Sequence, residues 1–244
     1  MLAASIQRCQ TVWNRVNMVT NERIFMMDMK QAMHERHMVR KYLDKPIPVG
    51  VVEKLEERVQ KNNEAYGLSI KLMTDNGSAI PAAIKLLLAK DVNNFFIMAG
   101  PDGTDERLGY AGADLMLYAQ TLGLNTWWVG GTFSRKTVQR EADGAKPVGV
   151  VVVGYGETQG KPHKTKTVAQ VSSYDGPAPQ WFTDGVKAAL LAPTALDKQD
   201  FFITGKGHDV SITCEKSIFA EVNKGLVKYH FELGAGAQNF TWVQ

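Results

Sequence analysis

Cysteine is scarce: the 244-residue chain holds two, Cys9 and Cys214, far apart. That excludes a disulfide framework and a cysteine-rich zinc site, and it makes cytoplasmic residence the simple expectation. Net charge is small as well. Lys and Arg number 28 against 25 Asp and Glu, a balance of +3, too mild to indicate a nucleic-acid partner. Long hydrophobic runs are missing. The longest, from Val148 to Tyr155, falls well short of the ~18 residues a membrane-spanning helix needs. Its β-branched residues predict a strand buried on both faces instead. His34, His163, His208 and His230 show no metal-ligand spacing; His230 reads as a packed helix residue. Gly205-Lys206-Gly207 lacks the glycine-rich lead of a phosphate loop and reads as a turn. No Ser-His-Asp arrangement is present, so no catalytic side chain is nominated.

What remains is ordinary globular composition, 44% hydrophobic and 22% charged. The length falls between one domain and two on a prior of ~150 residues each. Residues 1–28 stand apart. Residues 1–26 carry Arg8, Arg15 and Arg23 but only one acid, Glu22, and six of the ten methionines lie at or before Met33. This start reads as an appended segment outside the fold, whether a transit-type leader or upstream sequence. The alternative is a helix packed on the body.

Beyond residue 29, helix and strand signals alternate. A short helix is expected over 29–37 and another from Val51, ending near Asn62-Asn63. Ser69 to Thr74 and Phe95 to Ala99 read as strands. Leu108 to Leu122 is apolar almost all round, the pattern of a buried helix, with Gly123 suited to its end. Residues 172–180, Ser-Ser-Tyr-Asp-Gly-Pro-Ala-Pro-Gln, read as a linker. After it come a helix over 181–191, strands near 201–204 and 209–213, and a helix over 215–233 stopped by Gly234. The class is α+β with a mixed central sheet flanked by helices.

Four constellations carry chemistry. The first is Arg36-His37-Met38-Val39-Arg40-Lys41-Tyr42, followed by Asp44-Lys45-Pro46-Ile47-Pro48. Two arginines four apart can converge on an anion, and guanidinium forks suit phosphate oxygens. This run resembles the opening motif of the FMN-dependent nitroreductase superfamily, with Met38 where a serine is usual. The second is Gly109 to Asp114, continuing through Leu122 to Trp127-Trp128-Val129-Gly130-Gly131. It resembles that family's central helix and the loop after it. The third is Lys164-Thr165-Lys166, similar to a basic pair in the family. The fourth is Ala192-Pro193-Thr194-Ala195-Leu196-Asp197-Lys198-Gln199-Asp200, similar to an Ala-Pro-Ser motif, with Asp197 in place of asparagine and Asp200 in place of proline.

The resemblance implies a nitroreductase-like fold and an FMN-dependent oxidoreductase. Such a protein passes hydride from NAD(P)H through the flavin to a nitroaromatic, quinone or similar electron-poor small molecule. It implies that Arg36 and Lys166 bind the FMN phosphate, with His37 and Met38 beside it. Arg40 and Lys164 would lie toward the ribityl chain or pyrimidine edge. The backbone of Val129, Gly130 and Gly131 would face flavin N5, with Trp128 among the cofactor contacts and Trp127 or Trp128 lining the substrate pocket. Pro193, Thr194, Ala195 and Asp197 would meet the flavin from the other side. Because the Ala-Pro motif comes late in the chain, the resemblance further implies an internally duplicated subfamily. Residues 29–171 would be one nitroreductase-like half, and 181–244 a reduced second half packed on it. The chain would be a monomer (a pseudo-dimer) or a homodimer, without a nucleic-acid or membrane partner. The alternative is an FMN- or nucleotide-binding module of the same fold without efficient turnover.

Overall fold

The computed structural model describes residues 27–243. The expectation for 1–28 therefore lies outside the described residues, except at its last two positions. Asp28 comes second among the described residues. Its carboxylate accepts the Gln31 N–H at 2.8 Å and caps α1 (Met29–Glu35). Pro46 and Pro48 keep the residues before them extended, and α2 (Val49–Tyr66) begins directly after them. It buries Leu55, Val59 and Asn62 along one stripe. Gly67, at φ 63°, ends α2 in the left-handed region. The helix therefore runs past the expected stop at Asn62-Asn63. The Asn63 side chain instead bonds both the N–H and the carbonyl of Ile70, at 2.8 and 2.9 Å, which ties α2 to the first sheet.

That sheet holds β1 (Lys71–Met73), β2 (Phe95–Gly100), β3 (Asn125–Val129) and β4 (Lys146–Gly154) in the order β1-β2-β4-β3, every pair antiparallel. It is interleaved with α3 (Ala82–Leu88), α4 (Asp105–Thr121) and α5 (Arg135–Glu141). The valine run behaves as its composition predicts. Val151 and Val153 enter the core shared with α4, and Val150 and Val152 enter a second core on the opposite face. Each buried valine contributes about 2 kcal/mol of apolar transfer.

The second sheet holds β5 (Ser172–Tyr174), β6 (Phe201–Lys206), β7 (Asp209–Cys214) and β8 (Thr241–Trp242) in sequence order. The β6–β7 pair is antiparallel and the two outer pairs are parallel. Its helices are α6 (Val168–Val171), α7 (Gln180–Ala189) and α8 (Ala220–Ala235). The expected single mixed sheet is thus two separate sheets, and only the second is mixed. The expected linker is partly structured, because Ser172 to Tyr174 pair with Ile203 to Gly205. Gly234 does not stop the last helix. It lies inside α8, where a β-carbon would overlap that of Ala188, and Gly236 at φ 79° ends the helix.

The two sheets join through α4 and α8. A β-carbon at Gly109 would overlap the Val222 carbonyl oxygen, and one at Gly225 would overlap the Glu106 carbonyl oxygen. Each glycine meets the residue three before the other. Around this crossing, Glu106 pairs with Lys224 at 2.8 Å and also with Lys228. Asp114, buried in α4, accepts from Arg58 Nε at 2.7 Å, Asn62 Nδ2 at 2.8 Å and the Tyr229 hydroxyl at 2.7 Å. One apolar cluster runs unbroken from Leu55 and Met98 through α4 to Phe182, Ile203 and Phe231. Among the described residues, no helix is long and apolar enough to cross a membrane.

Candidate functional site

The segment after α1 is threaded along the first sheet by its backbone. Met38 bridges Thr126, Lys41 bridges Lys90 and Tyr42 bridges Gly156. The Tyr42 hydroxyl donates to the Val39 carbonyl at 2.7 Å and closes the segment on itself. This threading gives the two arginines different surroundings. Arg36 turns inward and is 5% exposed. Arg40 is exposed, with its guanidinium 5.5 Å from the Trp127 ring centroid. Met38 is 40% exposed.

Arg36 is the central electrostatic feature. Its Nε has no hydrogen-bond partner among the described residues, and no described carboxylate forms an ion pair with it. Burial pulls its pKa down to about 10, against a partly offsetting attraction from Asp197, so it remains a cation at neutral pH. A buried cation without a counter-charge is costly. Around it lie imidazoles. The His37 pKa is lowered by burial, and further by the charges of Arg36 and His163. His230 is buried as expected and donates Nδ1–H to the Leu226 carbonyl at 2.8 Å. Its Nε2 has no partner among the described residues. Burial pushes its pKa down to about 3, with Arg36 and His163 adding to the shift.

The chain leaving β4 doubles back over this segment. Gly160, at φ 77°, lies so close that a β-carbon there would sit 2.8 Å from the His37 β-carbon and from the Met38 carbonyl oxygen. The basic tract then crosses to the second sheet. Lys166 donates Nζ–H to the Gln199 carbonyl at 3.0 Å and lies 3.7 Å from the Asp200 carboxylate. Lys164 projects outward, exposed.

The loop from Pro193 to Asp200 faces that tract. Gln199 N–H donates to Thr194 Oγ1 at 3.0 Å, and Ala195 N–H donates to Asn223 Oδ1 at 3.0 Å. Leu196, Asp197 and Gln199 hold φ of 55°, 53° and 52°. Left-handed backbone at non-glycine residues costs about 1 kcal/mol each and collects at ligand clamps. Leu196 is 88% exposed at the loop tip.

The loop after β3 completes the set. Trp128 leans toward α4 into space that Gly112 leaves free, where a β-carbon would overlap its ring. Much of Trp128 is therefore committed to packing. Val129 is buried in the opposite core. A β-carbon at Gly130 would sit 2.8 Å from the Phe219 ring, whereas Gly131 faces open space. Gln199, His163, Asp200 and Phe219 were not expected at the site. Gln199 and Asp200 sat within a quoted motif, and His163 sat beside the basic tract, but only their hydrogen bonds and contacts give them a place.

The sequence pattern of the family described as "Putative TM nitroreductase" matches residues 28–235. A protein from Thermotoga maritima described as a "putative nitroreductase" superposes with a TM-score of 0.65 at 20% identity, covering 90% of this chain and 89% of its own. An FMN-dependent nitroreductase from Clostridium difficile gives 0.44 at 15% identity, covering 55% of this chain and 90% of its own. The NfrA1 nitroreductase of Bacillus subtilis gives 0.45 at 14% identity, covering 58% and 72%. No curated protein matches the sequence. With its fold shared with the Thermotoga protein and its match running through almost every described element, the chain belongs to this nitroreductase family, a family of oxidoreductases.

Proposed function

We propose that the chain is an FMN-dependent oxidoreductase. It would take hydride from NAD(P)H and reduce a nitroaromatic, quinone or similar electron-poor small molecule. The observation that carries this reading is Arg36, a buried cation whose Nε has no partner among the described residues. Such a group fits a bound anion, and the phosphate of FMN is the anion the family relation supplies. FMN, when bound, provides the hydride-accepting and hydride-donating chemistry that no protein side chain has.

The protein's part is binding and electrostatics. Arg36 holds the phosphate, with Lys166 as a second cation. Arg40 and Lys164 place positive charge where reduced flavin gathers negative charge. The backbone N–H groups near Gly130 and Gly131 face the ring. Thr194, Ala195 and Asp197 approach from the second sheet. The flavin cleft thus lies between two parts of one chain, and the molecule works as a monomeric pseudo-dimer. The reciprocal contacts Gly109–Val222 and Gly225–Glu106 support that reading, since a two-fold axis pairs residues in this way.

One observation favours the second reading, a flavin-binding module with little turnover. Lys166 is already engaged by Asp200 and the Gln199 carbonyl. Purified protein decides between them. Flavin absorbance at a fixed flavin-to-chain ratio, bleached by NAD(P)H and restored by a quinone, is the result expected of the enzyme. Bound flavin that NAD(P)H does not bleach favours the module. Protein that takes up no added FMN overturns both.

A further inference from the structure

Gln199 carries more hydrogen bonds than any role in a turn requires. Its side chain is buried and meets three residues of the basic tract at once. Oε1 accepts the Lys166 backbone N–H at 2.7 Å. Nε2 lies 3.1 Å from His163 Nε2 and 3.2 Å from Thr165 Oγ1, and it donates to the Leu190 carbonyl at 2.9 Å. Its own carbonyl takes the Lys166 ammonium at 3.0 Å. The backbone that presents this amide is strained, at φ 52°. A left-handed glutamine persists only where its surroundings over-determine it. The tract it grips is the covalent path from the first sheet to the second, and the His163 charge acts on His37, the residue after Arg36.

We infer that Gln199 is a positioning residue, one that holds the His163-to-Lys166 tract in register so that the tract and Arg36 together receive the phosphate of the cofactor. Gln199 does not touch the ligand in this account. It acts through Lys166 and Thr165, and the inference rests on the FMN reading above.

Two variants test it. Gln199→Glu keeps the shape and the acceptor of the Lys166 N–H but loses both amide donors. Gln199→Met keeps the volume and loses every side-chain bond. Each is titrated with FMN and with riboflavin, which has the same ring and ribityl chain without the phosphate, following flavin fluorescence. The expected result is a loss of about tenfold or more in FMN affinity, with riboflavin affinity unchanged in the same variant. Lys166→Met gives the same phosphate-selective loss, and the double variant with Gln199→Glu is no weaker than the weaker single. Equal losses for FMN and riboflavin, or none, overturn the inference and leave the FMN reading standing. Neither variant folding would assign Gln199 to folding alone, which also overturns it. Wild-type protein that binds neither flavin overturns the function and the inference together.

Discussion

Gly109 and Val222 touch across the α4–α8 crossing with no room for a β-carbon between them. The obstacle is a carbonyl oxygen, which cannot rotate away as a side chain can. Gly109→Ala is expected to cost about 3 kcal/mol or more by overpacking, read as a loss in urea midpoint. Gly225→Ala acts on the same crossing from the other helix and costs a similar amount. Once either alanine has parted the helices, the second adds little, so the double variant falls well short of the sum. Full additivity would refute a shared contact.

Arg36 predicts a trade between stability and binding. Its buried charge has no described counter-ion, so Arg36→Met removes a desolvation cost and is expected to stabilise the apo protein by about 1 kcal/mol or more. The same change abolishes FMN retention. Inorganic phosphate gives an independent reading, because it raises the melting temperature of the wild type and leaves that of the variant unmoved. A variant that melts lower and still binds FMN would remove the anion-site assignment.

His230 predicts a pH dependence. Unfolded, its imidazole titrates near 6.5; folded, burial holds it at about 3. Between those values the unfolded chain binds the extra proton. The stability tied to this group is therefore complete above 6.5 and drains away as pH falls toward 3. From about pH 7.5 to about pH 5 the loss is about 2 kcal/mol. His230→Gln, which carries no titrating proton, should lose less over that interval. Denaturant melts of both proteins at the two pH values make the comparison, and parallel losses would contradict it.

Asp114 holds together three elements through Arg58, Asn62 and Tyr229. Asp114→Ala leaves a partly exposed guanidinium and a half-buried hydroxyl without that acceptor, at about 2 kcal/mol. Asp114→Asn keeps the shape and one acceptor oxygen, so it should recover part of the loss. Chemical denaturation of the two variants shows whether charge or shape dominates.

Much of the fold was legible in residue pattern. The all-round apolarity of Leu108 to Leu122 announces α4, and the valine run announces a strand buried on both faces. These signals are local. The split into two sheets was not legible, because pairing depends on contacts far apart in sequence. The seven-residue helices α3 and α5 were also missed. Of the two, α3 buries no residue at all, so it carries no inward stripe to read.

The site divides in the same way. The basic run marked Arg36 and Arg40 equally, yet one is buried and the other lies over Trp127. Charge spacing cannot separate them, since backbone threading past Thr126 and Lys90 decides which turns inward. The strained loop left no mark either. Glycine usually advertises a left-handed position, and here Leu196, Asp197 and Gln199 fill those positions instead.

The α4–α8 crossing lies within one polypeptide, and that changes its thermodynamics. Its closure is unimolecular, so dilution cannot open it, and the effective concentration of one helix at the other is set by the intervening chain. It is also free of the constraint that a true dimer imposes, where any change appears on both sides at once. Glu106 faces Lys224 and Lys228, acid on one helix and base on the other, and each helix can alter its side of the crossing alone.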